Sequence, residues 1–239
     1  MADSTAQSYV YEPGKTKPTT LYKYFPPERI SVLEQLELRF SRPAEFNDVF
    51  DTQFLLPKGS GAVAERFRLR NEVGILCLTE RDDNHLMWVH YARNHTGFVL
   101  GFKAYAPFFS DNERELKKVI YKTRPQVLAE ADPGACFYKS QVWKYEEEWR
   151  CIRRFKSAEA RMVSFDPSLV THIIFGSGME SHHVTALVRV AAILEMNHVT
   201  FMLSKASQQA HVFLNIPQTI SVCDKCDGEG HIKTETQSA

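Results

Sequence analysis

The chain has 239 residues, of which 44% are hydrophobic and 12% aromatic, enough apolar material for a substantial core, which excludes disorder over most of its length. Lys plus Arg and Asp plus Glu both number 29, so a neutral chain exerts no bulk electrostatic pull on nucleic acid or an anionic membrane. The polar opening MADSTAQSYVYEPGKTKP has no apolar core of a secretion signal, no apolar run is long enough to cross a bilayer, and the five cysteines are odd in number with Cys77, Cys136 and Cys151 far apart, so a cytoplasmic protein with reduced thiols and no membrane partner is expected.

Residues 1–20 read as a flexible arm, polar and broken by Pro13, Gly14 and Pro18. Leu21 to Tyr24 alternates as a strand does. Pro26, Pro27 and Glu28 open a helix, whose apolar face is Ile30, Leu33 and Leu36. Leu38 to Ser41 reads as a strand, and Pro43 to Asp51 as a loop pinned by two phenylalanines. Ala62 to Arg70 is expected to be helical, with Arg66, Arg68 and Arg70 forming either a local basic patch or, the reading preferred, a solvated face. Gly74 to Thr79 is a buried strand. Asn84 to Ala92 is a helix with Asn84 as its N-cap. Strands follow at Phe98–Phe102, Lys117–Tyr121, Trp149–Phe155 and Leu169–Phe175. His183 to Glu195 is an amphipathic helix, and Thr200 to Leu203 a strand closing the sheet. The elements show no regular βαβ beat. The expected fold is α+β: a single domain over residues 21–215, with a twisted, mixed, largely antiparallel sheet and flanking helices. Residues 216–239 form a polar tail.

Three groups of residues bear chemistry. Glu146 and Glu148 flank Glu147; in a strand, or a loop leading into one, alternate side chains share a face. Two close carboxylates repel, which raises the pKa of one, and such a pair orients a hydroxyl and stabilises a cationic sugar carbon. The bland reading is an acidic turn paired with Arg150 or Lys139. Around the Leu86–Ala92 helix, His90, Tyr91 and His95 either line a polar site or pack against backbone, with Met87 and His90 on one face and Trp88 and Tyr91 on another. Asn47 and Asp48 either bond their own backbone or line the same cleft. In the tail, Cys223, Cys226 and His231 follow a zinc-knuckle spacing, but the fourth position is Thr236, and structural zinc wants four ligands.

Four segments carry a resemblance: LYKY at 21–24, FSRPAEFND at 40–48, LMWVHYARNHTGF at 86–98 and YEEEWR at 145–150. Together they resemble a bacterial family known as domain of unknown function 2971, over residues 20–205. Val49 stands where that family usually has proline. The order of motifs is also similar to that of ADP-ribosyltransferases. In that likeness Glu148 stabilises the oxocarbenium-like centre as nicotinamide leaves NAD. Tyr22 and Lys23 hold the dinucleotide, and Thr79 supports Glu148.

Two functions are therefore expected to compete. One is an ADP-ribosyltransferase-like enzyme that consumes NAD, with Glu148, Glu146 and Thr79 catalytic. Its dinucleotide would lie against Tyr22, Lys23, Asn47, Asp48, His90, Tyr91 and His95, and an acceptor protein or nucleic acid would complete the reaction. The other is a non-enzymatic nucleic-acid- or protein-binding adaptor that uses a zinc-bearing tail. The enzyme needs Tyr22, Thr79 and Glu148 to converge on one pocket.

Overall fold

Eight strands form the main sheet in the computed structural model, which describes residues 18–52, 54–55, 62–127, 133–155, 161–209 and 213–219. They are β1 (Thr20–Phe25), β2 (Val73–Thr79), β3 (Phe98–Lys103), β4 (Arg114–Lys118), β5 (Glu148–Arg154), β6 (Val170–Phe175), β7 (Thr200–Ala206) and β8 (Phe213–Pro217). Their spatial order is β8-β7-β6-β3-β1-β2-β5-β4. β6 and β7 are parallel and are joined through helix α4 (Ser181–Ile193), while the other neighbouring strands run antiparallel. This is a single α+β domain with a mixed, largely antiparallel sheet. β3 lies near the middle, and its run Phe98–Phe102 is buried throughout, as a strand covered on both faces requires.

One face of the sheet carries the main apolar core. Leu21, Phe25, Leu76, Leu78, Leu100 and Cys151 pack there with Val32 and Leu33 of α1 (Ser31–Glu34) and Leu187 and Val188 of α4. The opposite face has two separate apolar clusters. Val73, Ile75 and Ile152 pack under Leu69 of α2 (Ala62–Glu72) and Phe137. Tyr24, Val99 and Ile174 pack under Met87 and Trp88 of α3 (His85–Tyr91). A polar cleft lies between the two clusters.

Three expectations about strands are corrected. The segment at Leu38–Ser41 does not join the main sheet as a strand: Glu37–Arg39 pairs with Met162–Ser164 in a separate ribbon, and Ser41 makes only an isolated bridge to Ile75. Pro43, which has no N–H to continue a ladder, turns the chain into a 3-10 helix over Pro43–Glu45. Leu38 and Phe40 still enter the main core. The strand expected at Lys117–Tyr121 is two pieces, because β4 ends at Lys118 and Ile120–Lys122 pairs in parallel with Tyr138–Ser140. β7 does not close the sheet, since β8 adds an edge beyond it and runs to Pro217, a residue tolerated where no further strand must be bonded.

Cys77, Cys136 and Cys151 are not in disulfides. Among the described residues no helix is long and apolar enough to cross a membrane. The zinc candidates Cys223, Cys226 and His231, and residues 1–17 of the arm, lie outside the described residues.

Candidate active-site cleft

The cleft is fixed by strand register. Glu148 pairs with Thr79 and Arg150 with Cys77 across β5 and β2, so all four side chains rise on one face. Across β1 and β2 the register has one pair, Tyr22 with Thr79, whereas β1 and β3 match over six. The sheet therefore opens beside that single pair. A cavity of about 300 Å³ occupies the opening, lined by Tyr22, Lys23 and Tyr24 of β1, Cys77 of β2, Tyr91 of α3, and Lys139, Glu146, Glu148 and Arg150. Phe46, Asn47 and Asp51 wall it from the loop after β1 and α1.

A buried ionic network forms one wall. The Lys139 ammonium donates to Glu146 Oε2 at 2.5 Å and to Glu148 Oε2 at 2.9 Å. Arg150, with no exposed surface, donates through Nε to Glu148 Oε1 at 2.8 Å. Its two terminal nitrogens clamp Asp51, at 2.8 and 2.6 Å, and Nη1 also reaches the Cys136 carbonyl at 2.6 Å. The Tyr91 hydroxyl donates to the other oxygen of Glu146 at 2.6 Å. Tyr121 accepts from the Glu148 backbone N–H at 2.8 Å.

Glu146 and Glu148 do share a face, though not by strand alternation. Glu146 ends a 3-10 helix over Gln141–Glu146, Glu147 adopts the left-handed conformation (φ 44°, ψ 48°), and Glu148 begins β5. That left-handed residue costs on the order of 1 kcal/mol. It turns Glu147 outward to Arg81 (3.1 Å) while its neighbours point inward. The buried Thr79 hydroxyl donates to the Glu146 carbonyl at 2.5 Å and accepts from the Arg81 N–H, which secures the turn from β2. Asn84 secures it from α3: its amide donates to the Tyr145 carbonyl at 2.8 Å, and its oxygen caps Met87 N–H at 3.2 Å.

The environment drives the two carboxyl groups apart. Burial works against the Glu148 carboxylate, but Arg150 and Lys139 outweigh it and bring its pKa down to about 2. Burial dominates at Glu146 and, reinforced by the Glu148 charge, holds its pKa above the usual carboxylate range despite Lys139. Burial opposes the charge on Lys139 as well, but Glu148 and Glu146 together raise its pKa. Lys23 is the exception: it donates to the Cys77 carbonyl at 3.0 Å, and burial lowers its pKa. Burial, with Asp82 nearby, pushes Tyr22 up to about 12.

Of the residues singled out in the sequence, Tyr22, Lys23, Asn47, Tyr91, Glu146 and Glu148 line the cavity. Thr79 lies behind them, between Tyr22 and Glu148 in register, and acts on the Glu146 backbone rather than on Glu148. Asp48 caps a turn, accepting from Phe50 N–H at 2.9 Å. His90 is exposed beside Trp143, and Met87 shares the cavity with Tyr91, one full turn on, rather than with His90. His95 stacks between Trp88 and Phe213 and meets His85 at 3.2 Å, away from the cavity lining. Asp51 and Cys77 also line the cavity and Tyr121 holds the Glu148 backbone, and none of the three is among the site residues expected from the sequence. A signal for Asp51 was present: an arginine at the centre of a buried strand demands carboxylates, and FNDVFD supplies two. Among the described residues, no group of three or more His, Cys, Asp or Glu side chains is placed to hold a metal ion.

Residues 87–151 match the model of a family described as a protein of unknown function (DUF2971). The matched stretch includes Tyr91, Lys139, Glu146, Glu148 and Arg150, but not Lys23, Asp51, Cys77 or Thr79. No curated protein and no solved structure matches the chain.

Proposed function

We propose that the cleft transfers a glycosyl group, cleaving the bond between ribose and nicotinamide in NAD or a similar N-ribosyl compound. The observation that carries this reading is the pair Glu146 and Glu148, which share the Lys139 ammonium in one cavity while only Glu148 is also held by the Arg150 guanidinium. Two neighbouring carboxyl groups pushed apart by their surroundings divide into a fixed anion and a proton carrier. Glu148, held ionised by Arg150 and Lys139, is the fixed anion and stabilises positive charge at the ribose C1′ as the C–N bond breaks. The bonding electrons leave with nicotinamide, which departs neutral and needs no acid. Glu146, as carboxylate, takes the proton from the incoming water or acceptor hydroxyl while its oxygen bonds C1′. Tyr91 positions Glu146, and Thr79 holds its backbone.

Tyr22, Tyr24 and Phe46 offer flat apolar surface for a base or ribose. The test is nicotinamide release from NAD, with water and with a protein extract as acceptor. Release by the wild type and its loss in Glu148→Gln support the reading. No release under either condition overturns it.

A further inference from the structure

Two lysines line the same cavity in opposite chemical situations. Lys139 is held by two carboxylates and stays charged. Lys23 has, among the described residues, a single hydrogen-bond partner, the Cys77 carbonyl at 3.0 Å, and no carboxylate within 4.0 Å of its ammonium. A protonated amine presents three donors, and holding it in this half-buried position with one protein acceptor is costly. A neutral amine meets this site better: one N–H satisfies Cys77, and the lone pair is left for the cavity. Burial favours that form and outweighs the Cys77 and Glu148 charges, which favour the ammonium, with a smaller push toward the neutral amine from the positive charge of Arg29. Desolvation in a pocket is one way a lysine becomes a nucleophile. The open ladder between β1 and β2 is what lets the side chain reach this position.

We propose that Lys23 is an amine nucleophile that forms an imine with a small aldehyde or ketone bound in the cleft, open-chain reducing sugars included. The Lys23 Nζ lone pair bonds the carbonyl carbon, and the C=O π electrons move to oxygen. The carbinolamine then loses water: the C–O bond breaks, the nitrogen gives up its second proton, and C=N forms. Both hydrogens of the water come from the amine, and no oxidant or reductant is consumed. Glu146, in the same cavity, is the group that carries protons between nitrogen and oxygen. This chemistry acts at a carbonyl carbon and stands apart from the glycosyl-transfer reading.

The experiment is reductive trapping on the intact wild-type protein, with glycolaldehyde as probe and cyanoborohydride as reductant, read by peptide mass spectrometry. Each unit of pKa depression gives about tenfold more free amine at neutral pH. Lys23 is expected to be modified faster than the exposed Lys103 and Lys205 at pH 7, with the gap closing toward pH 10. Lys139 is expected to stay unmodified, which separates amine reactivity from mere access to the cavity. Modification of Lys23 no faster than Lys103 and Lys205, or equal modification of Lys23 and Lys139, overturns the proposal. NAD turnover plays no part in this readout, so the two readings fail independently.

Discussion

Arg150 grips Asp51 with two hydrogen bonds, 2.8 and 2.6 Å, although the two residues stand 99 positions apart. The contact ties the centre of β5 to the loop that walls the cleft. Both side chains are buried, so neither is free to be solvated if the other is lost. Removing one partner of such a pair typically costs about 3–5 kcal/mol. Arg150→Met leaves both Asp51 and Glu148 short of a counter-charge, and a loss in that range is expected in urea denaturation. Arg150→Lys keeps the charge but lacks the planar fork, so it is expected to fall between wild type and Arg150→Met.

Glu148→Gln is expected to lose stability as well as activity. Glu148 has a folded pKa of about 2, below its ordinary value, so its contribution is full above that ordinary value and is lost as pH falls toward 2. The displacement corresponds to about 3 kcal/mol at neutral pH. Denaturation of wild type and Glu148→Gln at a series of pH values is expected to show a gap of that size at pH 7, shrinking below about pH 4.5. A gap independent of pH would mean that the carboxylate charge is not what the network uses.

Asn84 does two things at once. Its oxygen caps α3 through Met87, and its amide holds the Tyr145 carbonyl, next to Glu146. Loss of an N-cap costs about 1 kcal/mol, and loss of a second hydrogen bond about as much again. Asn84→Ala is expected to destabilise by about 2 kcal/mol, while Asn84→Asp keeps the cap and loses only the bond to Tyr145. Thermal denaturation of the two variants separates the contributions.

Local signals in the sequence predict the elements well where burial pattern and propensity agree. β2, β3 and α4 are long apolar or amphipathic segments, and the Asn84 cap follows from residue type alone. The network is another matter. Glu146 and Glu148 stand out as a motif, but their partners come from the short strand at Lys139, from α3 at Tyr91 and from Arg150, which is itself held by Asp51 of the distant loop. Only tertiary packing brings those together. The shared direction of the two glutamates was expected from alternation, yet it arises from the left-handed backbone of Glu147, which a sequence of three glutamates does not announce. His95 was misplaced for a related reason: Arg93, Asn94 and His95 all have positive φ, so the chain leaves α3 by a path that carries His95 toward Phe213 and away from the cavity lining.

Gly97 follows that turn, and a Cβ there would lie 2.0 Å from the Phe25 carbonyl oxygen. The obstacle is backbone, so no side chain can rotate away to make room. Gly97→Ala is expected to cost at least about 3 kcal/mol and to be seen as a large drop in melting temperature. A loss under about 1 kcal/mol would mean that β1 and the turn separate readily.

The pH dependence of turnover offers the sharpest view of Glu146. Its pKa is raised by burial and by the Glu148 charge, so the proton-accepting carboxylate forms only at a pH above the usual carboxylate range. If Glu146 takes the proton from the incoming hydroxyl, the rate rises with pH until that group is ionised and is then level. Glu146→Gln removes the acceptor, and the rising limb is expected to vanish along with a hundredfold or so of the rate, within what a positioned base supplies. Tyr91→Phe removes the hydroxyl that donates to Glu146 Oε1 and so favours the carboxylate. It is therefore expected to keep the rising limb but shift it to higher pH, because the carboxylate loses a donor that stabilised its charge. A limb that stays in place in both variants would assign the titration to another group. Measuring the rate of nicotinamide release from pH 4 to 9 for wild type, Glu146→Gln and Tyr91→Phe, at temperatures well below each melting point, distinguishes these outcomes.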